Sequence, residues 1–188
     1  MILKKKKVVD FFMKNVLIDY QKNIKYDIFD TPVCGILPLL KYLPNDRKLN
    51  IWECCDSGKS NISMLLKELG HNVISTDIIN GFDFIKDIPS FDFDMIITNP
   101  PYSIKDKWLK KCYEYGKPFA LLLPLTALEG ESRNKLYLEK GISIIVLNKR
   151  LDFTGKKNTW FNTSWFVWGF KSVNENSMIF ENLNKKNN

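Results

Sequence analysis

A single histidine, His71, occurs in 188 residues, and the four cysteines (Cys34, Cys54, Cys55 and Cys112) form no C-x-x-C pair. No zinc site built from paired Cys and His ligands is expected, nor any other metal. Adjacent Cys54 and Cys55 are badly placed to bridge one another, so reduced thiols and a cytoplasmic, intracellular setting are the default expectation. Long apolar runs are also missing. No stretch approaches the roughly 18 residues that a membrane span needs. The lysines at 4–7 precede an apolar stretch that Asp10 and Lys14 interrupt, unlike a secretory signal.

What is present is ordinary for a soluble globular chain: 45% hydrophobic and 26% charged residues, enough to bury one core. One domain over residues 1–172 is expected, with a polar, frayed tail over 173–188. The formal net charge of +7 suits a polyanionic partner such as nucleic acid, and equally a lysine-rich solvated surface.

The hydrophobic pattern has two parts. Val8, Val9, Phe11, Phe12, Val16, Leu17 and Tyr20 keep helical spacing. A second helix is expected from Pro32 to Leu43, with Thr31 as N-cap and Pro32 at the first helical position. Strands are then expected at 49–54, 72–76, 93–98, 118–123, 142–147 and 164–170. Helices are expected at 61–69 (closed by Gly70), 104–115 and 132–140. Strands alternating with helices of about ten residues imply an α/β fold, Rossmann-like, with a mostly parallel sheet and helices on both faces. Ligands of such sheets bind beyond the carboxyl ends of the strands, where strand order reverses. The residues to inspect are therefore those at 53–59, 77, 99–102 and 124–126.

The tetrad Asn99-Pro100-Pro101-Tyr102 follows the apolar run Met95-Ile-Ile-Thr98. Two prolines cannot continue a sheet, because they lack donors and fix φ, and they make a stiff turn. An exocyclic amine or amide nitrogen is a weak nucleophile, its lone pair delocalised into the neighbouring π system. Two acceptors holding its N–H groups, here the Asn99 side-chain oxygen and the Pro100 carbonyl, favour a more tetrahedral nitrogen and aim the lone pair. Tyr102 can stack on the planar group and fix its plane. Read as structure alone, the tetrad is a rigid strand-to-helix turn with a tyrosine packed on it.

The tetrad, its strand and the following helix resemble the N6-adenine DNA methyltransferases of the class I S-adenosylmethionine-dependent fold, the small phage-type enzymes most of all. The resemblance runs over residues 27–170. It implies a cofactor pocket in which Thr31 and Pro32 touch the methionine end, and Glu53, Cys54 and Gly58 form the loop after the first strand. Asp77 would bond the ribose hydroxyls, and Asp83 and Phe84 would flank the adenine. Phe153 sits where related enzymes place a second stacking aromatic, and Trp160 lies in a polar loop; each fits a flipped base or the core equally well. Lys105, with Lys107, Lys110 and Lys111 on the helix after the tetrad, fits a phosphate track or a plain solvated surface. The partner implied is nucleic acid, DNA rather than RNA, with a second protein subunit as a further candidate and no membrane.

The loop at 53–60 departs from the family's acidic residue followed by G-x-G, since Gly58 is its one glycine. That leaves open a catalytically silent homologue that binds nucleic acid or a partner. A protein glutamine-amide methyltransferase uses the same tetrad chemistry. Gly58-Lys59-Ser60 also ends like a phosphate-binding loop, but Glu53 stands where that motif needs its first glycine.

Overall fold

The computed structural model describes residues 30–153 and 162–183. The helix expected over 8–20, Lys156, Lys157, Trp160 and Phe161 lie outside the described residues. Four α-helices are described: α1 (Val33–Leu40), α2 (Asn61–Glu68), α3 (Lys105–Tyr115) and α4 (Glu131–Lys140). The strands are β1 (Asn50–Glu53), β2 (Asn72–Ser75), β3 (Met95–Thr98), β4 (Phe119–Pro124), β5 (Ser143–Leu147), β6 (Thr163–Trp168) and β7 (Met178–Glu181).

The strands form one sheet in the order β2-β1-β3-β4-β6-β5-β7. All are parallel except β6, which lies antiparallel between β4 and β5. The apolar runs of β3 and β4 are buried at every position, as strands covered on both faces require. Alternation sorts their side chains. Ile51, Met95, Ile97, Ala120, Leu122, Trp165 and Val167 point to the layer that holds α1 and α2. Trp52, Ile96, Phe119, Leu121 and Phe166 point to the layer of α3, with α4 packed at its margin. The chain is an α/β sandwich, as its sequence pattern implies.

Three sequence expectations change. Thr31 does not cap α1, which begins after Pro32 with no side-chain cap. Its carbonyl instead accepts Asn61 Nδ2 at 3.0 Å, and the residue is buried between the two helix starts. The segment read as a polar tail contains β7, which pairs with β5 from Ile144↔Met178 to Leu147↔Glu181. His71, read as a turn residue, is buried, and its Nδ1 accepts the Leu49 amide at 3.3 Å, tying the approach to β1 to the turn before β2. No helix among the described residues is long and apolar enough to cross a membrane.

Helix packing fixes one glycine. A Cβ on Gly35 would come within 2.5 Å of the Leu151 side chain, which would have to shift to admit it. The Gly35 carbonyl also accepts Trp165 Nε1 at 2.7 Å, which pins α1 to β6.

Candidate active site

From β1 the chain passes outward to β2, then returns to the other side of β1 as β3. The crevice beyond the carboxyl ends of β1 and β3 is therefore the switch point where open α/β sheets bind ligands. Glu53 ends β1 and Thr98 ends β3, so the acidic loop and the tetrad open into one crevice.

The loop after β1 is organised by Asp56. Its Oδ1 accepts the amides of Gly58, Lys59 and Ser60, each at 2.8 Å. Its Oδ2 accepts Ser75 Oγ at 2.8 Å and the hydroxyl of Ser63. Burial pushes this carboxyl up, but the hydroxyls and loop amides outweigh it and hold it below the usual carboxylate range. Gly58 has φ +102°, a left-handed conformation that glycine adopts without strain. These three amides would have to face phosphates in a nucleotide-binding loop. Here they bind the chain's own carboxylate, which argues against the triphosphatase reading.

Two more carboxyls stand beside it. Both Asp30 oxygens accept the Asn61 amide, at 3.0 and 2.9 Å, at the start of α2. This contact brings Asp30 against the start of α2. Glu53 is 1% exposed; its Oε1 accepts the Cys55 amide at 3.1 Å and the Thr98 hydroxyl. Burial pushes Glu53 up to about 8 despite those donors, and the negative charges of Asp56 and Asp30 add to the rise. Burial likewise raises Asp30 to about 6, the Asn61 and Thr31 amides opposing and Asp56 adding. A cationic ligand group would relieve this clustering, so the donor set fits a ligand bearing a sulfonium and an ammonium.

In the tetrad, Pro100 is buried, Pro101 exposed, and Asn99 and Tyr102 half-buried. Asn99 Oδ1 is shielded from solvent and has no hydrogen-bond partner among the described residues. A buried acceptor left unmet costs about 1–3 kcal/mol, which suits an atom whose partner arrives with a ligand. Tyr102 begins a 3-10 turn, Tyr102–Ile104, that leads into α3. Burial holds its phenol protonated well past the usual tyrosine range. Lys105 turns back onto the tetrad, its Nζ donating to the Tyr102 carbonyl at 3.4 Å, so it is less available as a phosphate contact than Lys107 and Lys110, which are exposed.

The other expected cofactor residues divide. Asp77 lies just past β2, half-buried, and caps the following 3-10 turn by accepting the Ile79 amide at 2.8 Å. Asp83 is tied to Lys86 Nζ at 2.9 Å and accepts the Ile85 amide at 3.0 Å; Lys86 above all holds it below the usual carboxylate range. Phe84 is a core residue instead, 2% exposed. It stacks on Trp108 with ring centroids 4.0 Å apart and meets Trp52 at 5.1 Å, inside an aromatic group that includes Phe93 and Tyr115. Cys54 is likewise packed in the core, its thiol pushed well up by burial. Phe153 is half-buried against the α1–α2 layer.

Asp56, Asn61 and Thr98 are the site residues that sequence reasoning missed. The one signal was Asp56 itself, a short carboxylate three and four residues ahead of a Lys-Ser pair that leads into a helix. Ile78 and Ile79, 70% and 80% exposed directly after Asp77, form an apolar rim that was also not anticipated.

No protein-family model and no curated protein sequence matches the chain. Solved structures do. A Listeria monocytogenes protein provisionally assigned as a class I S-adenosylmethionine-dependent methyltransferase matches with a TM-score of 0.54 at 12% identity, over 95% of this chain and 73% of that one. The methyltransferase subunit of a type I restriction-modification system from Streptococcus thermophilus matches with a TM-score of 0.51 at 14% identity, over 79% of this chain. A modification subunit from Vibrio vulnificus, of an enzyme provisionally assigned as type I restriction, matches with a TM-score of 0.52 at 10% identity, over 90% of this chain. The match covers 46% and 50% of those two subunits, so it spans about half of their length. The chain has the Rossmann-like fold of class I methyltransferases.

Proposed function

We propose that this chain transfers a methyl group from S-adenosylmethionine to the exocyclic N6 of adenine in nucleic acid, DNA in preference to RNA. One observation carries the reading. The Asn99-Pro100-Pro101-Tyr102 turn emerges at the switch point beside the buried Glu53, and Asn99 Oδ1 is a buried acceptor with no partner among the described residues.

When bound, S-adenosylmethionine supplies an electrophilic methyl on a sulfonium cation. A cationic ligand would draw Glu53 and Asp30 into their charged forms, releasing the protons that burial keeps on them, and Thr31 and Pro32 lie beside them at the start of α1. Asp77 is placed at the end of β2 to receive hydroxyls, and Asp83 stands on the loop beyond it. On the substrate side Asn99 Oδ1 and the Pro100 carbonyl hold the two N–H groups of the target amine. Tyr102 fixes the plane of the base by stacking. Fixing orientation is the main contribution, and no strong base is required of the protein. The exposed lysines of α3 and the net charge of +7 favour a polyanionic substrate. The restriction-modification subunits among the structural matches support DNA, with the choice of target sequence left to loops near residues 125–135 and 153–163 or to another subunit.

Calorimetric titration with S-adenosylmethionine and with its demethylated product tests the reading. Micromolar binding is expected, weakened by Glu53→Gln and by Asp77→Ala. No heat at millimolar ligand would overturn it in favour of a silent nucleic-acid-binding subunit.

A further inference from the structure

The interior polar contact nearest the tetrad belongs to Thr98. This residue is fully buried, closes β3 and directly precedes Asn99. The main-chain register of β1 with β3 runs through Ile51↔Met95 and Trp52↔Ile96. Beyond that register, at the carboxyl ends of both strands, side chains carry the connection: Thr98 Oγ1 donates to Glu53 Oε1. The same oxygen takes the Cys55 amide, so both hydrogen bonds made to this carboxyl among the described residues end on Oε1. One hydroxyl thus joins the acidic end of β1, the first turn of the Asp56 loop and the residue before Asn99.

We infer that Thr98 is a positioning residue that couples the two halves of the site: its hydroxyl fixes the Glu53 carboxylate for the cofactor and, through the same contact, holds the β3 end that presents Asn99 to the amine. The inference rests on the methyltransferase reading for its consequence, and on the hydrogen bond alone for its physical content. A hydroxyl that donates to a carboxylate stabilises its charged form. The charged neighbours of Glu53 are Asp56 on the loop and Asp30 ahead of α1, both repulsive, so Thr98 and the Cys55 amide are the donors that offset them. Valine keeps the shape of threonine and removes the donor, whereas serine keeps the donor and removes a methyl group.

Two measurements test the inference on the full chain with wild type, Thr98→Val and Thr98→Ser. In the ligand-free protein, the carbon-13 shift of the Glu53 carboxyl is followed against pH. Thr98→Val should move its midpoint upward and Thr98→Ser should return it toward wild type. In calorimetry with S-adenosylmethionine at pH 7, Thr98→Val should bind about tenfold or more weakly, the usual scale for a hydrogen bond to a charged group. Its affinity should climb more steeply with rising pH, and level off at a higher pH, than that of Thr98→Ser, because more of its Glu53 is still protonated. Identical Glu53 midpoints in wild type and Thr98→Val would overturn the coupling. So would a Thr98→Ser variant that behaves as Thr98→Val does, because the methyl group and not the hydroxyl would then be what matters. If wild type binds no S-adenosylmethionine, the proposed function fails, while the carboxyl titration still decides the Thr98–Glu53 coupling.

Discussion

Replacing Glu53 by glutamine should make the ligand-free protein more stable at alkaline pH. The carboxyl is 1% exposed and its pKa rises from 4.5 to about 8 on folding. Between those values the folded chain keeps a proton that the unfolded chain has lost. Its favourable contribution is therefore fully present below about 4.5 and lost as pH rises toward 8. The whole interval is worth on the order of 5 kcal/mol as a ceiling, at about 1.4 kcal/mol per pH unit. Asp30 titrates the same way, but its interval ends at about 6, so the slope above pH 6 belongs to Glu53. Wild type should thus lose about 2–3 kcal/mol between pH 6 and pH 8. Glutamine retains an oxygen able to accept from Thr98 and the Cys55 amide, and it does not titrate. Urea unfolding of both proteins at pH 4.5, 6, 7 and 8 should give stabilities that converge toward pH 4.5 and separate as pH rises. Glu53→Gln should lead by a few kcal/mol at pH 8, with equal m-values. Parallel curves would refute the reasoning, because they would mean that Glu53 is solvated or already ionised in the folded chain.

Asp56→Asn should cost about 2–4 kcal/mol in the same urea assay near neutral pH. An amide cannot accept from the Ser63 and Ser75 hydroxyls and from three backbone amides as a carboxylate does. Because this carboxyl is held low, wild type should lose that advantage as pH falls through the acid range, and a neutral-pH difference near zero would count against it. Phe84→Ala should lower stability by about 3–5 kcal/mol, as for an aromatic in a close-packed core, with the loss read from urea midpoints. A mild change in stability with a large loss of cofactor affinity would return Phe84 to the binding role its sequence suggested. Asn99→Ala should leave the fold intact, and even slightly stabilised by loss of an unmet buried acceptor, while methyl transfer falls about a hundredfold or more.

The sheet was legible in the sequence wherever an apolar run stood between turn signals. Met95–Thr98 and Phe119–Pro124 are buried at every position, and such strands announce themselves by continuous hydrophobicity. Gly70, at φ +91° just past α2, was legible for the same local reason. The four residues of β7 were not. Met178, Ile179, Phe180 and Glu181 sit among asparagines, and only their pairing with β5 makes them a strand. Asn148 then accepts the Leu183 amide and bonds Asn182, which secures the end. The location of the tetrad followed from its strand, because a turn that cannot extend a sheet must stand at its end. Phe84 was misread because a loop aromatic looks the same whether it will stack on a ligand or on Trp108. Asp56 was passed over because its role depends on Ser63 and Ser75, which are brought to it by α2 and β2. Thr31 does not cap because the helix starts one residue later than expected, with Pro32 in the cap position. Local signals specified elements; the contacts between elements decided which side chains face the crevice.

The most direct test of the central claim is transfer of a labelled methyl group from S-adenosylmethionine to double-stranded DNA, with RNA and protein alongside, followed by nucleoside analysis of the product. The expected result is label on N6-methyl-2′-deoxyadenosine from DNA with wild type, and its near-complete loss with Asn99→Ala. Absence of label from DNA, or undiminished transfer by Asn99→Ala, would contradict it.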